Sequence, residues 1–473
     1  MKKVFMTLCM ASTVLSTSVL AEDLLIKLAS PISTEKTVQI WNFSGLNAKQ
    51  IMPQWISVKG NLKAAQFQSF LQNGSVLHVQ KDFKLNTYAN PSLAKAKQNA
   101  ALVKYVQNLQ ADVGINAAKP ADNPAIPAAP AKTTGADPLF SKQWGMIDNG
   151  LENALKINAG QKIIVAVIDT GVDYTHEDLL PNMWRNTKEI PDNGIDDDKN
   201  GYIDDVVGWD FLDNDNKPYD LASTNIGDLL NGANPGHGTH CAGNVGAAGG
   251  NGKGISGMAP NAQIMALRFI GDKGGVTSGA ISSIRYAVDN GAKVLSNSWG
   301  SEGEDPAEAA DNLALKEAIQ YAMDKNVLFI AAAANSGVDN DNDAKKAAYP
   351  ASYPHDNIIS VAAIDSKDGL ASFSNYGATT VDIGAPGVKI FSTTVGNNYS
   401  DTVIDLLGAN WDGTSMACPH VAGAAALYWS AHPEKNWKQV KDAILTSAKP
   451  IPSLKGKTLM GAKLNVEALM KVN

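Results

Sequence analysis

Apolar positions in this chain follow two spacings. Short runs that read as strands occur at Ile163–Ile168, Ile264–Ile270, Lys293–Ser296, Val327–Ala332 and Ile358–Ala363. Between them lie longer stretches of helical period, such as Ser278–Asn290 and Pro306–Lys325. Strands with little polar alternation fit a sheet covered on both faces, and the intervening helices return the chain for parallel pairing. The pattern predicts an α/β fold, a doubly wound and mostly parallel sheet with helices on both faces. Such sheets place their chemistry at the carboxyl ends of strands. Asp169 and Asn335 both fall just past strand ends.

The first part of the chain is patterned differently. Residues 22–115 mix strand-like runs (Leu24–Leu28, Ser75–Val79) with a helical stretch at Ala64–Leu71, which predicts a small α+β domain. Residues 116–136 turn to Ala, Pro, Lys and Thr, the composition of an extended linker. The segment 1–21 carries Lys2 and Lys3, then an apolar, small-residue stretch that ends in Val19-Leu20-Ala21. That is the layout of a secretory signal, and the apolar run is too short and too broken by Thr and Ser for a membrane anchor. The large α/β domain then occupies 137–473.

Composition narrows the class. With 473 residues and 44% hydrophobic content the chain can bury a large core, and a net charge of −7 provides no basic stripe for nucleic acid. No later stretch suits a bilayer, so the expected mature chain is soluble and exported, extracellular or periplasmic, with no membrane contact after signal removal, and a monomer. Removal of the signal takes Cys9 and leaves Cys241 and Cys418. Two cysteines make no disulfide framework, and both are expected as buried thiols.

Candidate chemistry sits in three segments: Val167-Ile168-Asp169-Thr170-Gly171, His237-Gly238-Thr239-His240 and Gly413-Thr414-Ser415-Met416-Ala417. Ser415 opens a helical run to Tyr428, where free N–H groups and the helix dipole favour an oxyanion. A hydroxyl needs a base to become a nucleophile. His237 is the candidate, and Asp169 would hold its ring. His240, three residues on, is expected to be a packed helix histidine.

Asp169-Thr170-Gly171-Val172-Asp173, His237-Gly238-Thr239-His240-Cys241-Ala242-Gly243 and Gly413-Thr414-Ser415-Met416-Ala417-Cys418-Pro419-His420 resemble the motifs of the subtilisin-like serine peptidases, the subtilases. The resemblance runs from about residue 137 to the C-terminus. It implies a serine endopeptidase acting through an acyl-enzyme on Ser415, with Asn335 as the oxyanion-hole amide; the usual Gly before it is Ala334 here. It further implies that polypeptide substrates bind as a strand between Gly274-Gly275-Val276 and Ser298-Trp299-Gly300. Ala348 matches the base of the primary specificity pocket, and a small residue there predicts large apolar or aromatic side chains before the cut bond. The resemblance casts residues 22 to about 136 as a propeptide, an intramolecular chaperone and inhibitor that the enzyme removes.

Calcium is the expected structural ion. Asp196, Asp198 and Asn200, with Gly201 behind them, match the start of a calcium loop. Val207 stands where a closing Glu belongs, so the Tyr202 carbonyl with Asp204 or Asp205 would complete the shell. Asp137, Asp178 and Asn251 match a second site implied by the resemblance. No cofactor is expected for catalysis.

Overall fold

The computed structural model describes residues 23–29, 47–59, 76–99, 119–120 and 137–473, the last without Thr224, 302–311 and 343–345, and gives the backbone of 19–20, 62–63 and 104. All of the signal segment except Val19 and Leu20, the Ala64–Leu71 helix and most of the 116–136 linker therefore lie outside the described residues.

Within the leader, β1 (Leu24–Leu28), β2 (Asn47–Met52), β3 (Trp55–Lys59) and β4 (Val76–Lys81) form an antiparallel sheet in the order β2-β3-β1-β4. A further leader strand, β5 (Lys84–Thr87), leaves this sheet, and the helix α1 (Pro91–Lys97) follows it.

The main sheet has nine strands. Third from one edge is β6 (Ile164–Asp169), flanked by β8 (Gln263–Arg268) and β10 (Val294–Asn297). The strand β7 (Gly208–Asp210) closes one edge. On the other side follow β12 (Leu328–Ala332), β13 (Ile358–Ile364) and β14 (Ile383–Pro386), then the short pair Lys449–Pro450 and Ala462–Lys463. All pairings are parallel except that of the last two. Each strand predicted from the pattern appears within two residues of its expected ends. The helix expected at Pro306–Lys325 is described as Leu313–Asp324.

Strand alternation splits the core into two layers. Val165 and Val167 face the helices α3 (His237–Gly246) and α6 (Thr414–Ala431). Ala166 and Ile168 face α4 (Thr277–Asp289) and α5 (Leu313–Asp324). The leader sheet packs on that second layer through Leu25, Ile51 and Trp55. Polar contacts reinforce it: Trp55 Nε1 donates to Glu317 (2.8 Å), and the Asp82 carboxylate accepts from the Ser278 N–H (2.8 Å) at the start of α4. An acidic group in the first turn complements the helix dipole and satisfies an N–H with no partner inside the helix.

Candidate active site

Asp169 ends β6, where the parallel sheet stops and its backbone opens to neighbouring loops. Its Oδ1 lies 2.7 Å from His237 Nδ1, and both side chains are buried. The close approach depends on Gly238, because a Cβ there would stand 2.0 Å from the Gly171 carbonyl oxygen. His237 opens α3 after Gly236 (φ +90°), and Asn234 Oδ1 accepts the N–H groups of Gly236 and His237, both at 3.0 Å. Behind the pair stands Asp220, fully buried. It accepts from Thr170 Oγ1 (2.9 Å), Asn234 Nδ2 (2.6 Å), Thr239 N (2.9 Å) and Thr239 Oγ1 (2.7 Å). Burial raises its pKa to about 6.

Burial alone would favour a neutral His237 ring. The adjoining Asp169 carboxylate outweighs it and holds the pKa well above 6.5. His237 Nε2 has no hydrogen-bond partner among the described residues. His240 behaves as a packing residue: it stacks on Trp411 at 4.2 Å, bonds the Ile390 carbonyl at 2.9 Å, and burial lowers its pKa to about 3.

Ser415 is the second residue of α6, a helix buried along almost its whole length. Gly413 before it has φ +155°, a conformation open to glycine alone, and a Cβ there would lie 3.2 Å from Asn335 Nδ2. Asn335 Oδ1 accepts from Thr414 N and Thr414 Oγ1, both at 2.9 Å, which aims the amide nitrogen outward. Ser415 Oγ donates to the Ser298 carbonyl at 3.3 Å. The Cys241 thiol, one turn along α3, donates to the Ser415 carbonyl at 3.4 Å. Cys241 and Cys418 are both free and buried.

The two cleft segments flank a strand of the chain itself. The strands β9 (Gly275–Val276) and β11 (Trp299–Gly300) both pair antiparallel with β5 of the leader. Leu85 faces Gly275, and Asn86 faces Gly300. Glycine is needed on both walls: a Cβ at Gly274 would meet Asn86 Oδ1 at 2.1 Å, and one at Gly300 would meet Tyr88 Oη at 2.1 Å. The Tyr88 ring thus lies against Gly300, in the same apolar cluster as Ala348. One residue on, the Ala89 carbonyl accepts from Asn335 Nδ2 at 3.1 Å. Sequence reasoning missed residues 84–90. Their only signal was a short alternation, Leu85-Asn86-Thr87-Tyr88, ending at Asn90-Pro91.

Past the cleft, Asn90 caps α1 by accepting the Leu93 N–H (3.1 Å) and donates to the Asn410 carbonyl (3.0 Å). Ser92 donates to Asp412.

Two of the oxygen-ligand groups expected from sequence are drawn together. Asp137 accepts the Gly250, Asn251 and Gly252 N–H groups, and Asn251 Nδ2 donates to Asp178 Oδ1 at 2.8 Å. Burial raises the Asp137 pKa, and the Asp178 charge adds to it. In the acidic loop, ligand atoms of Asp196 and Asp198 gather with Glu189 within 4.8 Å. Asn200 Nδ2 donates to Asp205 (2.9 Å), and the Tyr202 ring packs against Trp209 and Tyr286. Asp204 accepts the Asn193 and Gly194 N–H groups, and Asp205 is held by Tyr286 Oη (2.5 Å) and Asn186 Nδ2 (2.8 Å). A third group, Asp210, Asp213 and Asp215, receives Lys119 of the linker at 2.9, 3.0 and 2.9 Å.

Comparison with known proteins bears on this geometry. The profile of the subtilase family matches residues 160–466. A thermophilic serine proteinase of Bacillus sp. (strain AK1) is 40% identical over 297 residues, 63% of this chain and 58% of that protein. Thermitase of Thermoactinomyces vulgaris is 37% identical over 296 residues, 62% of this chain and 85% of that protein. Among solved structures, the chain resembles fervidolysin from Fervidobacterium pennivorans, a keratinolytic enzyme related to subtilisin. The TM-score is 0.64 at 24% identity, covering 97% of this chain and 62% of that one. The chain thus spans less than two thirds of the Bacillus proteinase and of fervidolysin.

Proposed function

The chain belongs to the subtilase family of peptidases, and from that premise we propose that it is a secreted, calcium-stabilised serine endopeptidase made as a zymogen. The observation that carries the proposal is β5, seated between the two cleft strands, with Tyr88 to Asn90 lining one cavity with His237 and Ser415 and Ala89 bonded to Asn335. An extended segment bound by backbone pairing is what a broad endopeptidase needs, since such pairing accepts unfolded polypeptide of many sequences.

The chemistry follows from the donors and acceptors present. Ser415 Oγ attacks the scissile carbonyl carbon while its proton passes to His237 Nε2. Asp169 holds the Nδ1 proton and steadies the charged ring. The Asn335 amide and the Ser415 N–H donate to the developing oxyanion. His237 then protonates the leaving amine, and water repeats the sequence to release the acid.

The leader supplies the first substrate. The Tyr88 ring lies against Gly300 in the cluster that holds Ala348, which favours a cut between Tyr88 and Ala89 and agrees with a preference for large aromatic or apolar residues. The hydrogen bond from Asn335 to the Ala89 carbonyl favours the next bond, Ala89–Asn90; sequencing the new N-terminus separates the two. Either cut lies within the 22–115 segment and leaves the 116–136 linker joined to the catalytic domain. The leader's cap on α4 and its hold on Glu317 support the chaperone and inhibitor roles. Asp339 and Asp341, in the loop after Asn335, do not argue for basic specificity, because Asp339 accepts from Asp341 N and Asn342 Nδ2 and Asp341 accepts from Thr379 N and Thr380 N.

Calcium fits two groups of hard oxygen donors. Asp137, Asp178 and Asn251 would hold one ion, and Asp196 and Asp198 with Glu189 another. Chelation is expected to lower the melting temperature, and an unchanged melting curve in excess chelator would remove the metal claim. The central test compares wild type with Ser415→Ala. Wild type should lose its leader and take one fluorophosphonate label, while the variant stays uncut and unlabelled. A wild type that neither cuts nor labels would leave the fold as a binding protein.

A further inference from the structure

We infer that the cleft extends, on the leaving-group side, into an apolar subsite for a leucine-class side chain carried on the first turn of a helix. The inference rests on the peptidase reading and names a substrate feature of that site. Beyond Ala89 the bound chain stops being extended. Asn90 caps a helix whose first residue is Pro91, and Pro at that position is pre-set for helical φ.

The turn is fixed at three points. Asn90 Nδ2 reaches the Asn410 carbonyl at 3.0 Å, Ser92 donates to Asp412, and Leu93, 8% exposed, is buried. Its receptor is the apolar face of the helix α2 (Ile226–Leu230), with Ile226, Leu229 and Leu230 beside Ile404 and Ala409. Asn410 and Asp412 lie three to five residues before Ser415, so this subsite is tied directly to the nucleophile. The occupant is Leu93 itself, the fifth residue past Tyr88. The matching substrate carries a helix-start sequence, a cap residue followed by Pro and then an aliphatic side chain, after the cut bond.

After either cut Leu93 stays joined to the catalytic domain and would itself fill the groove, so the test uses enzyme matured from a Leu93→Ser chain. Three peptides are offered: Lys84–Gln98, the same peptide with Leu93→Ser, and Lys84–Asn90. Burying one leucine predicts that the first is cut with a kcat/KM about tenfold or more above the other two. Adding Leu229→Ser to the enzyme should bring the first two peptides to the same rate, a coupling that general damage does not produce. Equal rates for all three on the Leu93→Ser enzyme overturn the subsite. Failure to cut any peptide overturns the peptidase reading beneath it.

Discussion

The two halves of the proposed catalytic cluster are built by opposite means. Asp169 and His237 are held by side chains, a buried frame in which Asp220, Asn234, Thr170 and Thr239 exchange hydrogen bonds. Ser415 and Asn335 are held chiefly by backbone, the start of α6, a glycine at φ +155° and an alanine at φ +86°, with Thr414 Oγ1 as a side-chain link to Asn335. The first half is an electrostatic device whose state changes with protons. The second is a geometric one, whose donors point the same way at every pH. Damage to the first should alter the pH profile, and damage to the second should alter turnover alone.

The largest effect is expected from Asp169→Asn. By the example of the buried Asp in chymotrypsin-type triads, kcat should fall about 10⁴-fold. Wild-type kcat/KM should rise with pH along a limb centred above 6.5, because activity requires the neutral ring and His237 is held above that value. A sequence reading that takes His237 as unperturbed puts this limb near 6.5; contact with Asp169 moves it upward. The same shift makes the pair stabilising while the ring is charged. That stability is complete below the unfolded-state pKa and is lost as pH rises through the folded one. In Asp169→Asn, the largest cause that opposes burial is gone, only Cys241 still raises the pKa, and the residual limb should move down. A limb that stays in place would show that the carboxylate is not what holds the ring.

Asn335→Ala tests the other half. Removal of the equivalent amide in subtilisin costs about 10²–10³ in kcat, and a loss of that size is expected here with an unmoved pH limb. Because Asn335 Oδ1 also accepts two bonds from Thr414, Asn335→Asp keeps that anchor while replacing the donor. It should lose as much turnover as the alanine variant, with smaller loss of stability. Full activity in Asn335→Asp would sink the donor role.

The same division explains what was legible in the sequence. The central strands were, because β6, β8 and β12 are buried on both faces and leave uninterrupted apolar runs. The three motif segments were legible because close packing demands small residues around Asp169, His237 and Ser415, as the 2.0 Å gap at Gly238 shows. Asp220 and Asn234 were not: each is one polar residue in a loop, and its meaning arises only where three segments meet. Position alone makes Asp204 or Asp205 a candidate to close the calcium shell, and the hydrogen bond of Asp205 to Tyr286, 81 residues away, has no local signature. The leader strand was hidden for a similar reason. Its partners are backbone groups, and backbone pairing leaves little trace in side-chain pattern.

The smallest expected effect belongs to Ala334→Gly, and it is a gain. Ala334 sits at φ +86°, with its N–H on Thr414 Oγ1 (3.1 Å) and its carbonyl accepting the Asn375 N–H (2.9 Å). Those bonds hold the backbone turn that presents Asn335, so the residue cannot relax out of the left-handed region. A side chain there costs about 1–2 kcal/mol. Glycine removes that cost but adds freedom to the unfolded chain, a penalty of about 0.4–1 kcal/mol. The difference favours the folded state by about 0.5–1 kcal/mol, a rise of about 1–3 °C in melting temperature for a domain of this size. Turnover should stay within about twofold, since the glycine backbone is held by the same two hydrogen bonds. A fall in melting temperature would mean that the Ala334 methyl contributes more by packing in the core than it costs in strain.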